Sequence, residues 1–196
     1  MKNVYLFVLA LVGIGLGLSM LHTVKGKEKI PPLIVTSSAF DPGSVIPVEF
    51  TCEGKNTPPP ISWTREPRGT KSFALLVLDP RAANGKEWVH WLMYDIPIYH
   101  HSLNETEYNL LMGHDGKEAL WEEQYGKLGL NSWKKKAYGG PCPPKGVHEY
   151  IFTVYALDRA TLGLKGEVTK ELFLKAIEGH ILATGILIGT YERRLP

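Results

Sequence analysis

The sequence predicts a mainly β protein, and two observations support that prediction. The 196-residue chain contains 20 glycines and 14 prolines, and most of them lie between short apolar runs, as turns lie between strands. Several of these runs are rich in β-branched and aromatic residues, which strands favour. The length and the ordinary apolar and charged fractions are typical of one globular domain.

The charge and the cysteine content exclude several classes of function. A net charge of +2 is too small to predict a nucleic-acid partner. Cys52 and Cys142, the two cysteines of the chain, form neither a C-x-x-C pair nor a zinc-binding pattern. The sequence therefore predicts no metal site and no cofactor, and it leaves the oligomeric state open.

The first 26 residues differ from the rest of the chain. Residues 4–21 form an uncharged, largely apolar run of 18 residues after Lys2, which is typical of a signal peptide or a membrane anchor. No A-x-A-like cleavage site follows the run, so an uncleaved anchor is as well supported as cleavage. We expect residues 27–32 to be a linker and residues 33–196 to be the folded domain. The protein is then either membrane-anchored through residues 4–21 or secreted and extracytoplasmic.

The first half of the domain contains several predicted strands. Residues 33–35 and 45–50 are expected to be short strands, and residues 61–63 begin another after a proline-rich loop. Residues 72–78 are nearly all apolar, as in a strand buried on both faces. That strand ends at Asp79, which is interpreted either as a site residue at the rim of the sheet or as a turn former before a proline.

The next predicted strand, residues 87–96, contains a histidine between tryptophans. Trp88 and His90 share one face of a strand, and Trp91 lies on the other. A single histidine in such a strand is more often a core residue than a ligand. Residues 97–137 are long, polar and poorly periodic, which predicts a functional loop, a protein contact or a segment with short hidden elements.

The last part of the chain predicts a helix between two long strands. Residues 169–179 are expected to be helical, with Thr169 as N-cap, an apolar stripe through Leu172, Ala176 and Ile177, and a glycine at the end. Residues 148–157 and 181–191 are the predicted strands on either side.

A loop rich in glycine and proline precedes the strand of residues 148–157. Pro141, Pro143 and Pro144 restrict its backbone and remove hydrogen-bond donors, and His148 and Tyr150 share one face of the strand that follows. This arrangement is interpreted either as the rim of a site for a small polar ligand or as a turn before an ordinary strand.

Four motifs together resemble one family, the phosphatidylethanolamine-binding proteins, in the bacterial and archaeal YbhB/YbcL branch that is also called Raf kinase inhibitor-like. The motifs are Thr51-Cys52-Glu53-Gly54 with Pro59-Pro60-Ile61-Ser62-Trp63; Asp79-Pro80 with Trp88, His90 and Trp91; Gly140-Pro141, Pro143-Pro144, Gly146, His148 and Tyr150; and Gly179-His180-Ile181-Leu182-Ala183 with Gly189-Thr190-Tyr191. Their order and spacing fit across about residues 33–193.

The resemblance implies two packed antiparallel sheets with a few short helices and a small anion-binding cavity at one end. In the family the cavity residues are those that match Asp79, Trp88, His90, Pro141, His148 and Tyr150 here. The cavity binds phosphate-like groups, including phospholipid head groups, and some relatives regulate a kinase or a protease. One position departs from the usual Asp-Pro-Asp of the family, because Arg81 stands third and places a positive charge at the cavity mouth.

The resemblance and the residue chemistry leave two functions to compare. In a binding protein the two imidazoles and Tyr150 donate hydrogen bonds to a phosphate, and Asp79 accepts from one imidazole and raises its pKa. In a hydrolase Asp79, His90 and His148 form a metal triad or an acid–base set. Cys142 is then either a thiol nucleophile or, in an oxidising compartment, the disulfide partner of Cys52.

Overall fold

The predicted strands pair into two antiparallel sheets, which confirms the mainly β fold. The computed structural model describes residues 31–82, 85–112 and 118–193. In chain order the strands of this part are Ile34–Thr36 (β1), Ile61–Thr64 (β2), Ser72–Asp79 (β3), Trp88–Pro97 (β4), Ser102–Leu103 (β5), Lys127–Leu128 (β6), Val147–Leu157 (β7) and Ile181–Glu192 (β8). One sheet has three strands in the order β1-β2-β5, and the other has five in the order β6-β4-β3-β7-β8.

Strand β3 lies at the centre of the larger sheet and is buried on both faces, as its apolar run predicts. Phe73, Leu75 and Val77 belong to the core between the two sheets. Ala74 and Leu76 point the other way, into a second apolar cluster that includes residues of a helix. Because neighbouring side chains of a strand alternate between its two faces, a strand between two apolar layers needs apolar side chains on both faces.

Strands β7 and β8 form a long antiparallel pair that carries one side of the fold. Their register runs from Val147 opposite Glu192 to Leu157 opposite Ile181. Gly189 in β8 allows the segment at Ile46 to pack closely against this strand, because a Cβ at residue 189 would lie 2.5 Å from Ile46 Cγ1. A residue with a side chain at 189 would therefore separate these layers.

The described part of the chain contains three short α-helices. They are Glu105–Met112 (α1), Glu118–Tyr125 (α2) and Lys170–Ile177 (α3). The first two, together with β5 and β6, lie within residues 97–137, so the prediction that this segment hides short elements is right. Helix α3 begins after Thr169, whose side chain accepts a hydrogen bond from the Leu172 N–H.

Two local predictions are wrong. Residues 45–50 are not a strand, since they end in a short 3-10 helix at Val48–Phe50, and Val45 forms only an isolated bridge to Thr190. Pro47 precedes that helix and has no N–H to contribute to a sheet. The buried side of α3 is formed by Phe173 and Ile177 rather than by Leu172, which is exposed.

No helix in residues 31–82, 85–112 and 118–193 is long and apolar enough to cross a membrane. The apolar run at residues 4–21, predicted to be a signal peptide or an anchor, lies outside the described residues.

A truncated chain that begins at residue 28 is expected to unfold in one cooperative thermal transition. Leu33 is buried, and its N–H donates to the Thr184 carbonyl at 3.1 Å, so the packing of the described domain begins there. A second truncation that begins at residue 37 lacks β1 and is expected to melt at a lower temperature. Aggregation of the longer form, or an equal melting temperature for both, would contradict the proposed domain boundary.

Candidate functional site

Asp79 and His148 meet where β3 ends and β7 begins. His148 Nδ1 lies 2.6 Å from Asp79 Oδ2, and both side chains are largely buried. Asp79 Oδ1 accepts a hydrogen bond from the Arg81 N–H at 2.9 Å. An ionised carboxylate can only accept, so His148 Nδ1 carries the proton and Nε2 is the ring nitrogen directed away from the carboxylate. Asp79 thereby orients the ring of His148, as expected from the sequence for one of the two imidazoles.

His90 is held by a different partner, the Gly139 backbone. Its Nδ1 lies 2.6 Å from the Gly139 carbonyl oxygen, and the Gly139 N–H donates to the His90 carbonyl at 2.9 Å. A carbonyl oxygen can only accept, so Nδ1 donates and Nε2 is the acceptor of the neutral ring.

Burial decides the charge of His90. It lowers the pKa of His90 to about 4, although the Gly139 carbonyl and the Asp79 charge act in the opposite direction. The ring is therefore neutral near pH 7, because the free-energy cost of removing an imidazolium from water exceeds the favourable interactions of the charged ring with these neighbours. Asp79 does raise the pKa of His90, as expected of a carboxylate beside a site histidine, but burial outweighs it.

Four of the six predicted ligand residues line a cavity of about 320 Å³. Its wall contains Asp79, Ala82, Trp88, His90, Trp133, Cys142, Pro143, Pro144 and Tyr150. His148 is not among the lining residues and is hydrogen-bonded to Asp79, which is. Pro141 is buried, and its carbonyl accepts from the Cys52 N–H at 3.1 Å. The cavity residues thus come from β3, β4, β7 and two loops.

Trp88 and Tyr150 offer neutral donors to this cavity. The indole Nε1–H of Trp88 is buried and has no hydrogen-bond partner within the described residues. Burial, and secondarily the charge of Asp79, raises the pKa of Tyr150 well above its ordinary value of 10.0. Its hydroxyl therefore keeps its proton at any ordinary pH.

Trp133 was not among the residues predicted from the sequence. Asn131 shapes its turn, since Asn131 Oδ1 accepts from the N–H groups of Trp133 and Lys135, each at 3.0 Å. The Trp133 ring meets the rings of Trp88 and His90 edge to face, with both centroid distances at 5.3 Å. The segment has no periodicity that could have indicated this position, and an Asn-Ser-Trp turn is a weak signal.

A disulfide joins the cavity wall to a neighbouring loop. Cys52 and Cys142 are bonded, with a sequence separation of 90 residues. Two hydrogen bonds reinforce the link: Gly140 N–H to Asn56 Oδ1 and Tyr138 Oη–H to the Phe50 carbonyl, both at 2.7 Å. Cys142 has no thiol in this structure, so its interpretation as a nucleophile is wrong.

The charges at the mouth are partly balanced. Arg81 Nη2 lies 3.3 Å from Glu149 Oε2, and both side chains are exposed, so the positive charge expected at the rim is shared with a carboxylate.

The metal-triad version of the hydrolase hypothesis finds no support, because the described residues contain no group of three potential ligands placed to hold a metal ion.

Residues 36–192 match the family model described as phosphatidylethanolamine-binding protein. The chain belongs to this family. Among curated relatives, a UPF0098 protein of Methanothermobacter thermautotrophicus is 41% identical over 155 residues, which are 79% of this chain and 95% of the relative. A UPF0098 protein of Aquifex aeolicus is 40% identical over 162 residues, with 81% and 88% of the two chains covered.

Solved structures of two phosphatidylethanolamine-binding protein homologues have the same fold. The putative homologue CT736 of Chlamydia trachomatis superimposes with a TM-score of 0.70 at 35% identity, covering 83% of this chain and 99% of that one. YbcL of E. coli gives a TM-score of 0.71 at 29% identity, covering 84% and 100%. The two-sheet fold of this protein is therefore that of its family.

Proposed function

We propose that this protein binds the phosphate group of an organic phosphate, such as a phospholipid head group, in the cavity beside His90. The observation that supports this most strongly is the buried Trp88 N–H without an acceptor. A buried donor left unpaired costs about 1–3 kcal/mol, which a ligand oxygen would recover. Trp63 and Trp91 also have unpaired indole N–H groups, but Trp88 is the one that lines the cavity.

The remaining polar groups suit an anion that brings its own proton. Tyr150 donates through its hydroxyl, and neutral His90 presents Nε2 as an acceptor for a P–OH group. The monoanion of a phosphate monoester has both acceptor oxygens and such a hydroxyl, whereas the phosphodiester of a phospholipid head group has acceptor oxygens alone. The Asp79 carboxylate also lines the cavity, but both of its oxygens already accept hydrogen bonds, from His148 and from the Arg81 N–H.

We also propose that the folded domain is located outside the cytosol. The Cys52–Cys142 disulfide supports it, because such bonds persist mainly in oxidising compartments.

Removal of the Trp88 donor or of the His90 acceptor is expected to weaken binding of methyl phosphate to the full chain. Trp88→Phe and His90→Ala should each raise the Kd about tenfold or more, since a hydrogen bond to a charged group contributes about 1.5–3 kcal/mol. Arg81→Ala is the control, with an expected change below about threefold because its charge is exposed and paired. Isothermal titration calorimetry of variants with parental melting curves measures these changes.

Two outcomes would count against the proposal. If Trp88→Phe and His90→Ala both bind like the parent, the cavity is not the phosphate site. If phenyl phosphate is hydrolysed by the parent and not by His148→Ala, the protein is a hydrolase that uses the Asp79–His148 pair. Binding without phosphate release is the result expected.

A further inference from the structure

A second cavity of about 240 Å³ adjoins the proposed phosphate site. Its wall contains Cys52, Asn56, Asn131, Trp133, Lys135, Tyr138, Gly139, Gly140 and Cys142. Trp133 and Cys142 belong to both walls, so the two cavities are adjacent. The second is below the range of about 300–1,000 Å³ that small-molecule sites occupy, and it is better explained as an extension of the first.

The Trp133 ring lies at the boundary between the two cavities. One side is fixed by the edge contacts with Trp88 and His90 described above, and the residue is nevertheless 42% exposed. It also packs against the backbone at Gly139, where an added Cβ would lie 2.4 Å from Trp133 Cζ3. The absence of a side chain at residue 139 is therefore what allows the ring to occupy this boundary.

The chemistry of the second cavity differs from that of the first. Its walls present the Trp133 and Tyr138 rings and the disulfide. Asn131 Oδ1 is already engaged by the backbone of its own turn, and Asn56 Oδ1 accepts from the Gly140 N–H. Lys135 is exposed and forms no salt bridge within the described part of the chain. The cavity therefore offers apolar surface with one cation at its edge.

We propose that the second cavity is a subsite for the organic substituent of a phosphate monoester, and that it selects apolar or aromatic substituents that are neutral or anionic. This inference rests on the proposed phosphate site. The Trp133 ring supplies a stacking surface for the substituent, and Lys135 attracts a terminal carboxylate and repels a terminal ammonium. Trp133 and Lys135 thus determine which phosphate esters are held, while the first cavity holds their common phosphate.

The test compares methyl phosphate, phenyl phosphate and 4-carboxyphenyl phosphate by calorimetric titration of the full chain. The parent is expected to bind phenyl phosphate about tenfold more tightly than methyl phosphate, because the ring buries apolar surface in the second cavity. The added carboxylate should increase the affinity a further threefold or so, as for a partly exposed ion pair.

Two variants probe the subsite through ratios of Kd values, since Trp133 also borders the phosphate cavity. Trp133→Ala is expected to bring the phenyl-to-methyl ratio to within about twofold of one. Lys135→Gln should remove the threefold gain from the carboxylate and leave the phenyl-to-methyl ratio as in the parent. Lys136→Gln is the matched control, because this neighbouring lysine is exposed and is not in either wall, and both ratios should be unchanged.

The possible failures are distinguishable. If the parent binds methyl phosphate and phenyl phosphate with equal affinity, the subsite proposal is overturned and the phosphate site stands. The same holds if Trp133→Ala keeps the parental ratio of the phenyl phosphate and methyl phosphate Kd values. Equal loss of the carboxylate gain in Lys135→Gln and Lys136→Gln overturns the role of Lys135. A parent that binds none of the three esters overturns the proposed function, and this inference with it.

Discussion

Removal of the Cys52–Cys142 disulfide is expected to lower the free energy of unfolding by up to about 4.5 kcal/mol, from the loop-closure entropy of a crosslink that spans 90 residues. The native state itself should survive reduction. The Cys52 N–H still donates to the Pro141 carbonyl, and Tyr138 still reaches the Phe50 carbonyl. The loss therefore appears as lower stability rather than as a different fold.

Urea unfolding with and without dithiothreitol measures this effect. The Cys52→Ser/Cys142→Ser variant is the control, because its unfolding midpoint should match that of the reduced parent and should not respond to the reductant. Denatured, unreduced parent should contain no free thiol, since both cysteines of the chain are in the bond. Two free thiols, or equal midpoints for oxidised and reduced parent, would contradict the prediction.

Acidification from pH 7 to pH 4 is expected to cost about 3 kcal/mol of stability through His90 alone. An unfolded histidine titrates near 6.5, whereas burial lowers the pKa of native His90 to about 4. The unfolded state therefore binds the proton first. The stability that the neutral His90 ring contributes is complete above pH 6.5 and is lost as the pH falls towards 4. Its size is about 1.4 kcal/mol for each unit of difference between the unfolded and native pKa values.

Other groups near His90 contribute to the acid response and must be separated from it. Asp79 raises and His148 lowers the pKa of His90. The difference in unfolding free energy between the parent and His90→Asn isolates the buried ring. It should shrink by about 3 kcal/mol between pH 7 and pH 4.

An exposed histidine provides the control for this experiment. His101 Nε2 lies 3.2 Å from Glu66 Oε1 and its side chain is 42% exposed, so His101→Asn removes a histidine that is not enclosed as His90 is. A difference for His90→Asn that stays constant with pH would show that the native ring is not held neutral by burial.

The family fold was predictable because its signals are local and strong. Residues 72–78 and 148–157 have the composition of strands, and the structure extends each by one residue, to Ser72–Asp79 and Val147–Leu157. The N-cap at Thr169 was also predictable, because its hydrogen bond joins residues three apart. The strand predicted at 45–50 failed because β propensity alone did not weigh the missing N–H of Pro47.

Several features of the candidate site depend on distant contacts and could not be derived from local patterns. Asp79 and His148 are 69 residues apart in sequence, and His90 meets a carbonyl 49 residues away. The motif resemblance indicated which residues gather there, but not that His148 is the imidazole paired with Asp79 while His90 faces Gly139. Trp133 could not be predicted, because its position depends on the hydrogen-bonded turn at Asn131 and on the absence of a side chain at Gly139.

The β class, the long strands and, through the family motifs, four of the nine residues around the cavity were predictable from the chain, because side-chain alternation, capping and motif spacing are local properties of a sequence. The charge of His90, the Cys52–Cys142 disulfide and the second cavity depend instead on how the strands and loops pack together. Burial is a property of the assembled layers, and a pKa or a cavity exists only once residues from several strands exclude water together.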